Sequence, residues 1–145
     1  MKIFSLCFFS MFLGLATAQN DIVDWNYEIS TQEGETFLTI TGAIKTGWVI
    51  YSQHTDPDGP IPTSIDIEEN SAFSLEGDVI EETEPIIQHS ELFDVEVKKF
   101  KDEVVFVQKI VGYESGTLIS GTVEFMCCDK SRCLPPKIIS FEVKG

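Results

Sequence analysis

The stretch Val123-Glu-Phe-Met-Cys-Cys-Asp-Lys-Ser-Arg-Cys-Leu-Pro-Pro136 decides the reading of this chain. Apolar and polar residues alternate before it, from Thr117 to Phe125, and again after it, from Ile138 to Val143. A period of two buries one face of a strand and leaves the other wet. Between the two patterns lies a short polar turn. Three of the four cysteines, Cys127, Cys128 and Cys133, fall within seven residues of this segment. Two antiparallel strands joined by such a turn, with a thiol on each side, bring sulfurs within bonding reach.

The same period recurs upstream. Asp24 to Ser30 alternates Trp25, Tyr27 and Ile29 with polar residues. Thr36 to Thr41 is rich in strand formers, and Trp48-Val-Ile-Tyr51 is compact and apolar, with Trp48 as a core anchor. Thr63 to Glu68 and Ala72 to Leu75 read as short strands. Val79 to Ser90 is acidic and irregular, and Ser90 to Asp94 is an exposed tip bearing Phe93. Asp94 to Phe100 and Glu103 to Val111 read as a hairpin about Lys101-Asp102. About nine short strands, with turns every eight to twelve residues and no helical period, predict an all-β, immunoglobulin-like antiparallel β-sandwich in a single domain. An internal Cys…Trp…Cys staple between sheets is absent, so packing alone must hold the core.

The N-terminus reads as a targeting segment. Lys2, the apolar run Ile3 to Leu15 and the small-x-small site Ala16-Thr-Ala18 predict a signal peptide over 1–18. The sandwich domain then spans 19–145, and Cys7 is lost with the signal. No later run approaches the ~20 apolar residues of a membrane helix, so an exported protein without membrane insertion is expected. Without Lys2, nine basic residues face twenty-four acidic ones, a net of −15. That excludes nucleic acid as a partner, which demands a basic face.

Export makes the cysteines readable as a disulfide framework. Three remain after signal removal, so one is left over. Cys128 can pair with Cys133, and Cys127 with Cys133 is the alternative. Adjacent Cys127 and Cys128 point to opposite faces of a strand. A staple across so short a ring contributes only about 2 kcal/mol of loop-closure entropy. A bridge at a turn is also open to attack by another thiolate, which Lys130 and Arg132 would favour. Staple and exchange both remain open on these grounds. Met126 with the three cysteines could suit copper(I), but only if the strand breaks to let the sulfurs converge. Asp56-Pro-Asp-Gly59 resembles part of a calcium loop, yet further ligands and the distal Glu are missing. His54 beside it reads as a hydrogen-bonded loop residue.

Phe125-Met-Cys-Cys-Asp-Lys-Ser-Arg-Cys-Leu-Pro-Pro136 resembles the active-site hairpin of the N-terminal periplasmic domain of DsbD, the thiol:disulfide interchange protein. Gly47-Trp-Val-Ile-Tyr-Ser-Gln-His54 and Gly59-Pro-Ile-Pro-Thr-Ser64 are similar to that family's early strand and loop. The resemblance implies an immunoglobulin-like sandwich and a periplasmic location. It implies Cys128 and Cys133 as the redox pair, with Cys133 forming mixed disulfides and Cys128 resolving them. It implies a cap loop over the sulfurs, best matched by Glu91-Leu-Phe-Asp94 with Phe93 as the shield. Thioredoxin-like redox proteins and exported disulfide-containing proteins would be the partners, and no dissociable cofactor is required. The extra thiol Cys127 departs from the family pattern. The rival expectation is a secreted binding module in which the bridge is only structural.

Overall fold

A computed structural model describes residues 21–145; the expected signal segment lies outside them. Ten strands follow in order: β1 Val23–Gln32, β2 Glu35–Ile44, β3 Ile50–Tyr51, β4 Ser64–Ile67, β5 Ser74–Glu81, β6 Ile86–Ser90, β7 Val95–Phe100, β8 Glu103–Val111, β9 Leu118–Phe125 and β10 Lys137–Lys144. They form a four-stranded sheet β1-β2-β8-β5 and two three-stranded sheets, β10-β9-β4 and β3-β7-β6. Every pairing is antiparallel. The expected immunoglobulin-like sandwich is what the chain forms. Among the described residues no helix is long and apolar enough to cross a membrane.

The core follows from the period of two. β8 turns Val104, Phe106, Gln108 and Ile110 inward, and β9 turns Ile119, Val123 and Phe125 toward them. Leu38 and Ile40 of β2, Phe100 of β7 and Phe141 of β10 complete one apolar cluster shared by all three sheets. Gly121 of β9 belongs to this core because nothing larger fits. A Cβ there would collide with the Asp66 carbonyl and lie 2.7 Å from Cζ of Phe141. That approach lets Phe141 reach Tyr27 of β1, with ring centroids 4.4 Å apart and nearly parallel.

Three expectations need correction. β7 and β8 are both strands, but they are not a hairpin: β7 pairs with β3 and β6, and β8 with β2 and β5. The Lys101-Asp102 link turns the chain out of one sheet and into another. Asp102 takes the left-handed conformation, φ 65°, and its carbonyl accepts a hydrogen bond from the Ile44 amide of β2. The acidic stretch read as irregular, Val79 to Ser90, holds the last three residues of β5 and all of β6. Gly77, φ 71°, lies where β5 shifts register between Glu76 and Ile80. The buried Gln108 amide clamps that bulge by donating to the Glu76 and Gly77 carbonyls. The strand expected at Trp48–Tyr51 shortens to Ile50–Tyr51, because Val49 pairs with Cys128 instead.

Candidate functional site

Past Phe125 the chain stays extended, and alternation sorts its side chains between two clusters. Phe125 and Cys127 enter the main core. Met126 and Cys128 enter a second cluster with Tyr51 and Val97, fringed by Val49, Phe93, Val95 and Cys133. Tyr51, Val95 and Val97 occupy alternate positions on the face of β3 and β7 opposite Ile50 and Phe100. The second cluster is therefore the outer face of the small β3-β7-β6 sheet, and the cysteine turn folds against it.

Two backbone hydrogen bonds fix Cys128 to Val49: its amide donates to the Val49 carbonyl, 3.1 Å, and its carbonyl accepts from the Val49 amide, 2.9 Å. On its other side it faces Cys133. The bonds flanking that pair run from Leu134 N to Cys127 O and from Asp129 N to Arg132 O, each 2.9 Å. Cys128 and Cys133 thus form a non-hydrogen-bonded cross-strand pair, where the chains approach most closely. Their Cα atoms are 4.0 Å apart and their sulfurs are bonded. The alternative pairing of Cys127 with Cys133 is not formed, and Cys127 is the free thiol among the described residues. With Cys127 in the main core, the three sulfurs do not converge as copper(I) would require.

Asp129 shapes the turn. Its Oδ1 accepts hydrogen bonds from the amides of Ser131, 2.9 Å, and Arg132, 2.8 Å. Those two N–H groups, with the Arg132 guanidinium, hold its carboxyl below the usual range. Arg132 is itself engaged: Nε lies 3.5 Å from Asp129 Oδ2, and the guanidinium sits 5.7 Å from the Trp48 ring centroid. Of the two cations expected to favour thiolates, Arg132 is therefore shared with a carboxylate and an indole.

Access to the bridge is asymmetric. Cys128 is only 1% exposed, whereas Cys133 is partly exposed. The expectation of a bridge open to solvent at a turn holds for one sulfur's residue and not for the other. Phe93, on the β6–β7 turn, packs into the same cluster and meets Tyr51 edge to face, centroids 6.2 Å apart. That turn is closed by the Asp94 amide donating to the Ser90 carbonyl, 2.8 Å, with Asp94 at φ 55°. The Asp56–Pro60 loop lies against it. A Cβ on Gly59 would lie 2.8 Å from Val95 Cγ2 and 3.7 Å from Phe93 Cβ, so only glycine allows this seat. Asp56 Oδ1 accepts the Asp58 amide, 2.9 Å, which is turn chemistry. His54 is exposed, with its amide donating to Ser52 Oγ. A groove of about 550 Å³ opens beside Cys128, lined by Trp48, Tyr51, Leu92, Val97 and Lys99 among others.

Tyr51 and Val97 are site residues that the sequence reading did not single out, and Met126, read there only as a soft metal ligand, packs in the cluster as an apolar side chain. Period two carries a signal for them: each is two residues, or an even number, from a residue of the same cluster.

Burial pushes the Cys127 thiol up to about 11, against a smaller opposing pull from the Lys137 ammonium. At pH 8 the thiolate fraction is then about one in a thousand. Iodoacetamide at that pH is expected to leave the oxidised native protein unlabelled and to add one group after denaturation. Mass spectrometry reads both; rapid native labelling would contradict this burial. The raised value also stabilises the fold below the thiol's ordinary value of 9.0, and this contribution fades as pH climbs toward about 11.

No family model and no curated protein matches the chain. Solved structures do. The Neisseria meningitidis DsbD N-terminal domain in the reduced form aligns with TM-score 0.56 and 12% identity, over 83% of this chain and 85% of its own. The complex of the N. meningitidis DsbD and PilB N-terminal domains gives TM-score 0.57 and 11% identity, over 83% of both chains. The N-terminal periplasmic domain of ScsB from Proteus mirabilis gives TM-score 0.63 and 17% identity, over 90% of this chain but 49% of that one. This chain has the fold of the DsbD and ScsB N-terminal domains.

Proposed function

We propose that this protein is an exported, periplasmic thiol–disulfide interchange domain working through Cys128 and Cys133. One observation carries the reading: a bridge at a turn of this fold, with a partly exposed Cys133 and a sealed Cys128. The likeness to DsbD N-terminal domains supports it, and the solved complex with a PilB N-terminal domain supports a protein as the docking partner. The signal segment 1–18 supplies export.

In the accepting half-reaction a thiolate of a thioredoxin-like dithiol attacks Sγ of Cys133. The Cys133–Cys128 bond breaks, and Cys128 leaves as the thiolate and takes up a proton. The donor's second thiol then attacks the mixed disulfide, leaving the donor oxidised and this chain a dithiol. In the delivering half-reaction the Cys133 thiolate attacks the disulfide of an exported protein. Cys128 attacks Cys133, restores the bridge and releases the reduced substrate. Two electrons and two protons pass in each direction, and no cofactor is consumed. Phe93 is the cap that must swing aside, since it packs in the cluster that contains both cysteines.

The burial of Cys128 favours a rival, a binding module with a structural staple. Mixing the oxidised protein with an excess of a reduced thioredoxin-like protein decides between them. Exchange predicts a gain of two hydrogens in the mass spectrum. A bridge that stays closed supports the staple.

A further inference from the structure

The β6 strand pairs with β7 on one side, and no strand lies on its other side among the described residues. Its free edge can be assigned. The Lys98 carbonyl of β7 accepts the Ser52 amide, 2.9 Å, and the Lys98 amide donates to Thr55 Oγ1, 3.0 Å, so Lys98 points its backbone groups away from β6. By alternation Val97 and Lys99 face β6, where they stand opposite Gln88 and Ile86. Ile87 and His89 consequently direct their N–H and C=O groups outward. The usual guards of an exposed edge are missing along this strand: it holds no lysine and no bulge, and Pro85 stands just before it. The neighbouring edge strand β5 is guarded, by its bulge between Glu76 and Ile80.

Beside this edge lies a wedge of about 620 Å³ between β5 and β6. Val79, Ile80, Pro85 and Ile87 line it, and Ile80 and Ile87 are 63% and 57% exposed. Its charge is one-sided. Asp78, Glu81, Glu82 and Glu84 line it against Lys98 and His54. Glu81 is occupied by Ser52 Oγ and the Gln53 amide, while Asp78, Glu82 and Glu84 are open to solvent or nearly so. From Ser74 to Ser90 there are five carboxylates and neither lysine nor arginine.

We propose that β6 is a docking edge for an extended, basic segment of another protein. The segment pairs with the outward backbone groups of Ile87 and His89 and extends the β3-β7-β6 sheet. Its alternate apolar side chains fill the wedge, and its lysines or arginines lie over Asp78, Glu82 and Glu84. A second copy of this chain is the wrong occupant, since its own β6 is flanked by the same carboxylates and each chain carries a large negative charge. Strand addition of this kind takes affinity from the main chain and specificity from alternate side chains. The proposal is independent of the redox reading.

The test is an NMR titration of the ¹⁵N-labelled protein with a short peptide of alternating valine and threonine, capped by lysine at each end. The amides of Ile87 and His89 are expected to shift and to become protected from exchange. A peptide of the same sequence with N-methylated backbone should not bind. Glutamate in place of the terminal lysines, or the double variant Glu82→Lys/Glu84→Lys, should weaken binding about tenfold, as two exposed ion pairs allow. Ile87→Lys blocks the edge at an exposed position and should abolish the shifts with the circular dichroism spectrum unchanged. Replacing both bridge cysteines by serine should leave the shifts intact, which separates this result from the exchange reading. Absence of shifts at β6, equal binding of the glutamate peptide, or self-association abolished by Ile87→Lys would each overturn the proposal.

Discussion

Replacing Phe106 by alanine is expected to cost about 3–5 kcal/mol of stability. Phe106 is fully buried on β8, the strand that joins β2 to β5. Its ring meets Phe100 of the small sheet edge to face, centroids 6.2 Å apart, and stacks with Trp25 of β1 at 6.3 Å. The truncation therefore opens a cavity touching two sheets at once. Among the described residues no disulfide crosses the sandwich, because the one bridge there joins residues five apart in sequence. A domain of this size is stable by only about 5–15 kcal/mol, so the loss removes a large share. Urea denaturation should show a much lower midpoint with an unchanged slope. Phe106→Leu, which leaves a smaller void, should cost clearly less. A cost under about 1 kcal/mol for the alanine variant would mean that this core does not hold the sheets together.

The two bridge cysteines are expected to fail in different ways. With Cys128→Ser, the remaining Cys133 thiol can still attack a partner's disulfide, but nothing in the chain can resolve the product. The mixed disulfide should accumulate as a stable adduct. With Cys133→Ser, the remaining Cys128 thiol is the sealed one, and no adduct should form. The physical basis is access: attack requires a clear line to sulfur as well as a thiolate. Incubation with an oxidised thioredoxin-like protein, followed by non-reducing electrophoresis, reads the difference. The opposite pattern, adducts on Cys128 and none on Cys133, would reverse the assigned roles.

Much of this was legible in the alternation of residues. β1, β2, β8, β9 and β10 each present one face to the core, so polar and apolar positions separate cleanly. β5 and β6 resisted because each lies on an edge with little burial; Ile80 and Ile87 sit in the open, which erases the pattern. The two-residue link between β7 and β8 gave a hairpin signal that tertiary structure overrode. A turn sequence can specify a change of direction, but which sheet receives the next strand depends on partners tens of residues away, here Ile44 for Asp102.

At the site, period two was enough to separate Cys127 from Cys128, but spacing left open which of them meets Cys133, and only the DsbD resemblance pointed to Cys128. The packing of Phe93 in the sulfur cluster followed from the DsbD resemblance. Its seat did not. Gly59 and Tyr51 meet the β6–β7 turn from distant points of the chain, and contacts of that kind leave no local mark. The coverage of Cys128 was equally illegible, because it depends on Val49 and Tyr51 folding across the turn.

The most direct measurement is the reduction potential of the Cys128–Cys133 bridge in a Cys127→Ser variant, equilibrated against defined dithiol buffers. An exchange-competent bridge is predicted to lie above about −300 mV, within reach of thioredoxin-like donors. A value far below that would mark a bridge that such donors cannot open, and would reduce this protein's cysteine turn to a staple.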